Sequence, residues 1–367
     1  MEYSLDLTYH WAGFSALVVF VIAYAFVMAE EFTHLRKSKP VVLAAGLIWG
    51  MIAIAYSNTP HYEMVEHEIR HSFLEYTELA FFLLVAMTYI NALEERNVFN
   101  SLKSWLIKNQ FSYRQLFWIT GVLAFFLSPL ADNLTTALVL CAVVVAVGSS
   151  SPKFVGLACV NIVVAANAGG AFSPFGDITT LMVWQAGQLD FLQFFALVIP
   201  SVVNYIIPAS IMHFFVSDHK PDVAETSVTI KYGGKTIILL GLLTIVTAVS
   251  FHNFLHLPPV FGMMTGLAYL QLYSFYIKIS VKDIEEQKYD FFENVARVEW
   301  DTLLFFFGVI LSVGGLGFIG YLEYVSEFMY TDLGATTANV LVGILSAIVD
   351  NIPVSYTHLT LPTKQPV

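Results

Sequence analysis

The chain has 367 residues, 57% hydrophobic and only 12% charged, with a mean hydropathy of +0.69 and a net charge of -11. Such a composition excludes an ordinary soluble surface, and its apolar runs repeatedly reach membrane-spanning length, so the implied surroundings are a lipid bilayer. The acidic balance, without a basic patch or stripe, excludes a nucleic-acid partner.

Glu2 and Asp6, with no Lys or Arg, precede the first apolar run. The basic start of a secretory signal is therefore missing despite an Ala23-x-Ala25 spacing, and residues 12–30 read as an uncleaved span. Further apolar runs lie near 40–56, 74–92, 115–149 in two arms, 154–184, 191–215, 236–254, 259–277, 300–320 and from 334 onward. Fifteen Lys and Arg fall in alternate loops, from Arg36 to Arg297, against Arg70 alone in the opposite loops, with Lys364 in the tail set aside. Cytoplasmic loops hold the excess of Lys and Arg, so the N-terminus is expected outside.

The polar interruptions carry the chemistry. Ser128-Pro-Leu-Ala-Asp132-Asn133-Leu-Thr135-Thr136 sits in apolar sequence, where a carboxylate is costly unless it faces a partner, a cavity or an ion. Its flanking arms, 115–130 and 133–148, are each roughly 24 Å as helix, short of a ~30 Å hydrocarbon core, so a re-entrant hairpin with Asp132 at its tip is expected. The next run contains Asn167-Ala-Gly169-Gly170-Ala-Phe-Ser173-Pro-Phe-Gly176-Asp177-Ile-Thr179-Thr180. It reads as a helix broken at membrane depth, where unwound backbone lines a cavity or is buried in protein; a plain loop between two shorter segments is the alternative.

Leu345-Ser346-x-x-x-Asp350-Asn351 repeats the first motif 218 positions later. An odd number of crossings separates the copies, which is the pattern of inverted-topology repeats around one central site. The expected division is an N-terminal span over 1–30, a first repeat over 31–216, a cytoplasmic loop over 217–235, an incomplete second repeat over 236–354, and a tail over 355–367 foreign to the fold. That tail, polar and Pro-bearing, stands where a second return arm is required. Two amphipathic stripes, from Val98 to Phe111 and from Tyr321 to Met329, read as interfacial helices.

Other motifs compete. His67-Glu68-x-x-His71 matches the zinc-protease pattern and makes a membrane metalloprotease the rival reading. It lies in polar sequence with no third ligand apparent, so a charged helix leading into the third span is favoured. Gly315-x-Gly317-x-x-Gly320 matches a dinucleotide fingerprint by letters but ends an apolar run, where close helix packing explains it better. Glu75 and Glu78 share a helical face at the start of the third span, as interfacial carboxylates or as a proton-handling or gating pair. Cys141 and Cys159, without Cys-x-x-Cys spacing, read as packing residues.

The two polar stretches, with Glu78-Leu-Ala-Phe-Phe-Leu-Leu-Val-Ala-Met-Thr-Tyr-Ile-Asn-Ala92 and Val349-Asp-Asn-Ile-Pro353, make residues 12–354 similar to the NhaD-type sodium/proton antiporters of the ion transporter superfamily. The resemblance implies an all-α polytopic protein with inverted repeats, re-entrant hairpins and discontinuous helices, its second repeat truncated here. It further implies exchange of Na+ or Li+ for protons across a bacterial inner membrane, without ATP or a cofactor, by a homodimer. A carboxylate or arsenite carrier on the same scaffold is the alternative, but an anion site would want Arg or Lys at the helix breaks. Asp132, able to hold a proton or a cation but not both well, would couple the two fluxes. Asn133, Asn167 and carbonyls near Gly169 would supply neutral oxygens, with Thr135, Thr136, Ser173, Asp177 and Thr179 nearby, and Asp350 and Asn351 mirroring the first pair.

Overall fold

With no water in a hydrocarbon core, each spanning segment must satisfy its own backbone, so long apolar runs become helices. The computed structural model describes residues 6–109, 111–148, 151–220, 228–280, 289–328 and 334–348. In order, the helices are α1 Trp11–Met28, α2 Glu30–Thr33, α3 Ser38–Tyr56, α4 Tyr62–Glu95, α5 Val98–Lys108, α6 Tyr113–Ala131, α7 Asn133–Val147 and α8 Pro152–Gly170. They continue as α9 Ile178–Gln185, a 3-10 segment Phe191–Leu197, α10 Val198–His213, α11 Gly234–Leu255 and α12 Pro259–Ser280. The last are α13 Phe291–Ala296, α14 Trp300–Ile319, α15 Tyr321–Ser326 and α16 Ala335–Ile348. Among the described residues nine helical segments are long and apolar enough to cross a membrane. The protein is an all-helical, polytopic membrane protein.

The chain forms two compact units, residues 1–80 with 299–367 and residues 81–298. In the first, α14 lies against α3 so closely that a Cβ on Gly308 would stand 2.5 Å from the Val41 side chain, and one on Gly315 2.7 Å from Ile48. The Trp49 indole donates to the Leu311 carbonyl at 2.8 Å. The glycines of the fingerprint-like run therefore serve packing and, at Gly320 with φ 112, the end of α14. At one end of this unit Ser38 donates to Asp301 at 2.5 Å and Lys37 lies 4.6 Å from the Phe305 ring centroid. At the other, Leu7 N–H donates to Ile319 and the Tyr321 hydroxyl to Thr8, at 3.3 and 3.0 Å.

The second unit is built on α6, α7, α8 and α10, with α11 and α12 packed as a pair. Tyr113 at the start of α6 stacks within 4.3 Å of Phe154 at the start of α8, and the Val143, Val144 and Val147 side chains at the end of α7 join the same apolar core. The start of α6 and the end of α7 thus lie on one side of this unit, and the two helices form a hairpin. On that side the connections meet: Lys231 N–H donates to Arg96 at 2.9 Å, Tyr113 N–H to His219 at 2.9 Å and Val228 N–H to the Ser104 hydroxyl at 3.1 Å. Arg96 is fully buried, paired with Glu95 at 2.8 Å and set 4.8 Å from the Tyr289 ring, while Asn294 donates to Glu95 at 2.6 Å. Burial there pushes the Tyr289 hydroxyl pKa up. Loops that the Lys and Arg count assigns to one side of the membrane are in contact with one another.

Two elements differ from the expected spans. α4 runs 34 residues, about 51 Å at 1.5 Å per residue, because the Glu- and His-rich stretch before the apolar run is good helix former and continues it outward. His67, Glu68 and His71 lie on that helical extension, as the charged-helix reading has it. α13 was not expected from the sequence; at six residues, capped by Asp290, it is too short to leave a periodic signal.

Candidate functional site

Asp132 is the one residue between α6 and α7, with φ 54 and ψ 158. That region is essentially glycine territory and costs a non-glycine residue on the order of 1–3 kcal/mol, so the surroundings must hold it. Its carboxylate caps α7: Oδ1 accepts from Thr135 N–H at 2.9 Å and Oδ2 from the Thr135 hydroxyl at 2.7 Å. Pro129 lies inside the last turn of α6 and supplies no N–H to Phe125, four residues back. The Phe125 carbonyl is where Gly169 packs, since a Cβ there would stand 2.1 Å from that oxygen.

The second break mirrors the first. α8 holds its helix through Gly170, so Gly169 lies within the helix and the unwound stretch is 171–177. Gly170 and Gly176 close this loop backbone to backbone, a Cβ on Gly170 falling 2.5 Å from the Gly176 carbonyl. Asp177, in extended conformation, caps α9: Oδ1 accepts from Thr179 N–H at 2.9 Å and from its hydroxyl at 3.1 Å. The Thr180 hydroxyl donates to the Ser173 and Asp177 carbonyls, each at 2.8 Å.

The breaks are joined to each other. The Asn133 amide donates both to Asp177 Oδ2 and to Asn167 Oδ1, each at 2.9 Å, and Asn167 in turn donates to the Val163 carbonyl at 2.9 Å. Ser128 donates to Ala166 at 2.6 Å and Ser173 to Pro129 at 2.9 Å, both buried. The Thr136 hydroxyl, 4% exposed, has no hydrogen-bond partner among the described residues. The structure therefore brings together Asp132, Asn133, Thr135, Asn167, Ser173, Asp177 and Thr179, with Thr136 one residue beyond Thr135 on α7. Ser128 and Thr180, not singled out from sequence, complete the bracing; a Ser or Thr in apolar surroundings was the available signal.

Electrostatically, two helix N-termini and two helix C-termini meet here. The N-termini of α7 and α9 favour the two carboxylates as anions, and the C-terminal carbonyls of α6 and α8 favour a cation beside them. Between Arg114 and Lys220 the sequence holds one Lys or Arg, Lys153, at the start of α8 and away from the breaks. The arrangement offers carboxylate, amide and helix-end oxygens, a donor set that suits a hard cation.

Glu75 and Glu78 lie on α4 in the first unit, both half-buried, with Glu75 3.7 Å from Nδ1 of His71. Asp350 and Asn351 lie outside the described residues, as does the tail 355–367. Among the described residues no group of three or more His, Cys, Asp and Glu is placed to hold a metal ion, and Cys141 and Cys159 are free thiols on the packed pair α7 and α8.

A helical membrane protein whose two broken elements meet at paired carboxylates is a secondary transporter in architecture. The citrate transporter family model matches residues 11–362. A Na+/H+ antiporter NhaD of Vibrio cholerae serotype O1 is 52% identical over 98% of this chain and 80% of its own length. An antiporter of the same name from Halomonas elongata is 50% identical over 97% and 76%, and sodium/proton antiporter 1 of Arabidopsis thaliana 31% identical over 92% and 58%. The chain belongs to the NhaD family of Na+/H+ antiporters, within the wider citrate transporter family. The relatives named are transporters, not enzymes, and the metalloprotease reading of His67-Glu68-x-x-His71 falls with that.

Proposed function

We propose that this protein exchanges Na+ or Li+ for protons across the bacterial inner membrane, by competition of cation and proton for one site at Asp132 and Asp177. The observation that carries this reading is the Asn133 amide, which links the Asp177 carboxylate to Asn167 from a position adjoining the Asp132 cap. Two breaks that are separate in sequence share one polar centre. A cation neutralises the carboxylates and draws on the helix-end carbonyls; its departure leaves charge that a proton must answer. Asn133, Asn167 and the Ser173 region supply neutral oxygens, and Thr135 and Thr179 fix the carboxylates. Glu75 and Glu78 are candidates for proton handling.

The wider family is named for citrate, and an anion carrier on this scaffold is the second reading. Against it stands the charge of the site, two carboxylates without a Lys or Arg at either break. Asp350 and Asn351 in the second repeat would present the same pair from the opposite side, and the working unit would be a homodimer. The contacts among the Lys- and Arg-bearing loops support the alternating topology on which the inverted repeat rests. Single cysteines at Ser101 and Glu323 are then labelled from opposite faces; labelling of both from one face would end the repeat proposal. Proton flux in proteoliposomes under imposed Na+, Li+, K+ and citrate gradients tests the exchange itself, with Na+ or Li+ but neither K+ nor citrate expected to drive it.

A further inference from the structure

The cytoplasmic end of α6, the helix that leads to Asp132, is sewn to the end of α10 by three contacts. Two have no titrating atom at the bond: Tyr113 N–H to the His219 carbonyl at 2.9 Å, and Arg114 Nη2 to the Val216 carbonyl at 3.2 Å. The third does. The Trp118 indole Nε1–H donates to Nδ1 of His213, the last residue of α10, at 3.0 Å, with the two rings 6.0 Å apart. A ring nitrogen that accepts a hydrogen bond carries no proton, so the imidazole is neutral in this arrangement and its proton sits on Nε2. Protonation makes both nitrogens donors and leaves the indole N–H facing another N–H.

The surroundings of the pair bear on its titration. From α6 the charged neighbour is Arg114, one turn before Trp118, itself 3.9 Å from Asp218 beyond α10. On α10 the neighbours are Tyr205, 6.3 Å from the Trp118 ring, and Phe214, edge-on to His213 at 5.7 Å. α8, which packs on α10, carries Lys153 at its start, the 3-10 segment carries Gln193, and His219 follows in the chain. Among the described residues no carboxylate forms an ion pair with His213, so nothing in contact replaces the Trp118 bond once the ring is charged.

We propose that His213 is a positioning residue for cation exchange: neutral, it fixes the cytoplasmic end of α6 on α10, and protonated, it releases that end. The attitude of α6 sets where its C-terminal carbonyls and Asp132 stand, because the helix is continuous from Tyr113 to Ala131 and locks onto α8 through Ser128 and Gly169. The role rests on the exchange reading. Its sign is fixed by the bond: present while the ring is neutral and lost once the ring is protonated. The affinity for Na+ therefore falls on acidification by more than direct proton competition accounts for.

The test compares the unmodified protein with Trp118→Phe and His213→Asn in proteoliposomes from acid to alkaline pH. Trp118→Phe keeps the ring packing and removes the donor, so KM for Na+ is raised about two- to tenfold already at alkaline pH, the worth of one hydrogen bond, and the extra acid-side rise disappears. His213→Asn places an amide oxygen near the Nδ1 position and accepts from Trp118 at every pH, so KM stays low and the acid-side rise again disappears. Opposite alkaline behaviour with the same flattened profile is what a purely structural residue would not give. Unchanged pH profiles in both variants would overturn the proposal. Quenching of Trp118 fluorescence by the protonated imidazole is followed in parallel and is absent from both variants; quenching that titrates without a change in KM also overturns it. Equilibrium Na+ binding by the solubilised protein separates the two readings. Trp118-dependent pH sensitivity of binding without exchange would sink antiport and leave the positioning role standing.

Discussion

The two helix breaks use the same device and are held in different ways. At each, an Asp caps a short helix and takes both the N–H and the hydroxyl of a nearby Thr: Thr135 for Asp132, Thr179 for Asp177. Asp177 does so from extended backbone, φ -151 and ψ 148, which any residue adopts. Asp132 does so at φ 54 and ψ 158, with a single residue joining two helices. The break at Asp177 is relaxed, with seven unwound residues to make the turn, whereas the break at Asp132 stores strain in one residue and spends two carboxylate hydrogen bonds on one Thr to hold it. Strain retained at a charged residue in a membrane segment supports Asp132 as the centre of the proposed site, with Asp177 as its partner.

That ranking can be broken. Asp132→Asn keeps the cap, the size and tolerance of positive φ but deletes the charge, and it is expected to abolish coupled exchange and Na+ binding while the protein remains inserted and folded. Proton flux under a Na+ gradient, with size-exclusion profile as the folding control, reads both. Persistence of near-normal exchange would move the central carboxylate to Asp177. Asp177→Asn is expected to be less severe, lowering Na+ affinity about ten- to a hundredfold, as for loss of a charge-assisted contact of about 1.5–3 kcal/mol. Equal severity in the two variants would mean one shared carboxylate pair rather than a centre and a partner.

The local parts of this arrangement were legible in the sequence. The hairpin arms expected at 115–130 and 133–148 are α6 and α7, and the first span expected at 12–30 is Trp11–Met28, because apolar runs and their polar interruptions are local signals. The long-range parts were not. That Asn133 reaches across 44 positions to Asp177 depends on how α6 crosses α8, and that crossing is set by Gly169 against the Phe125 carbonyl. Read alone, Gly169 looked like part of the unwound stretch; in the fold it is the residue whose missing Cβ lets the two breaks meet. The Trp118 contact with His213 spans 95 positions and left no pattern at all. Asp350 and Asn351, equally legible as a motif, lie outside the described residues.

Asn133→Ala sharpens the comparison from the other side, because it removes the link between the breaks and leaves both caps in place. Two hydrogen bonds are lost, one of them to a carboxylate, and a rise in KM for Na+ of about tenfold is expected without loss of coupling. A change in the ratio of protons to Na+ in this variant would show that the amide does more than hold the two halves together.

The smallest effects should come from the two threonines, and they separate strain from simple capping. Thr135→Val and Thr179→Val each keep the side-chain shape and the backbone N–H that caps onto the Asp, and each removes one hydroxyl. At Thr179 the lost bond is 3.1 Å and its Asp is in relaxed backbone, so the carboxylate keeps its place through Thr179 N–H and Asn133, and KM for Na+ should shift by about twofold or less. At Thr135 the lost bond is 2.7 Å and holds the oxygen of a residue whose backbone is strained. Asp132 can then relax toward negative φ and carry its carboxylate off the site, so the shift should be several-fold larger and accompanied by a lower melting temperature. Measured side by side, equal shifts in the two variants would mean that the positive φ at Asp132 costs nothing the hydroxyl is needed to offset, and the distinction between the two breaks would reduce to their sequence.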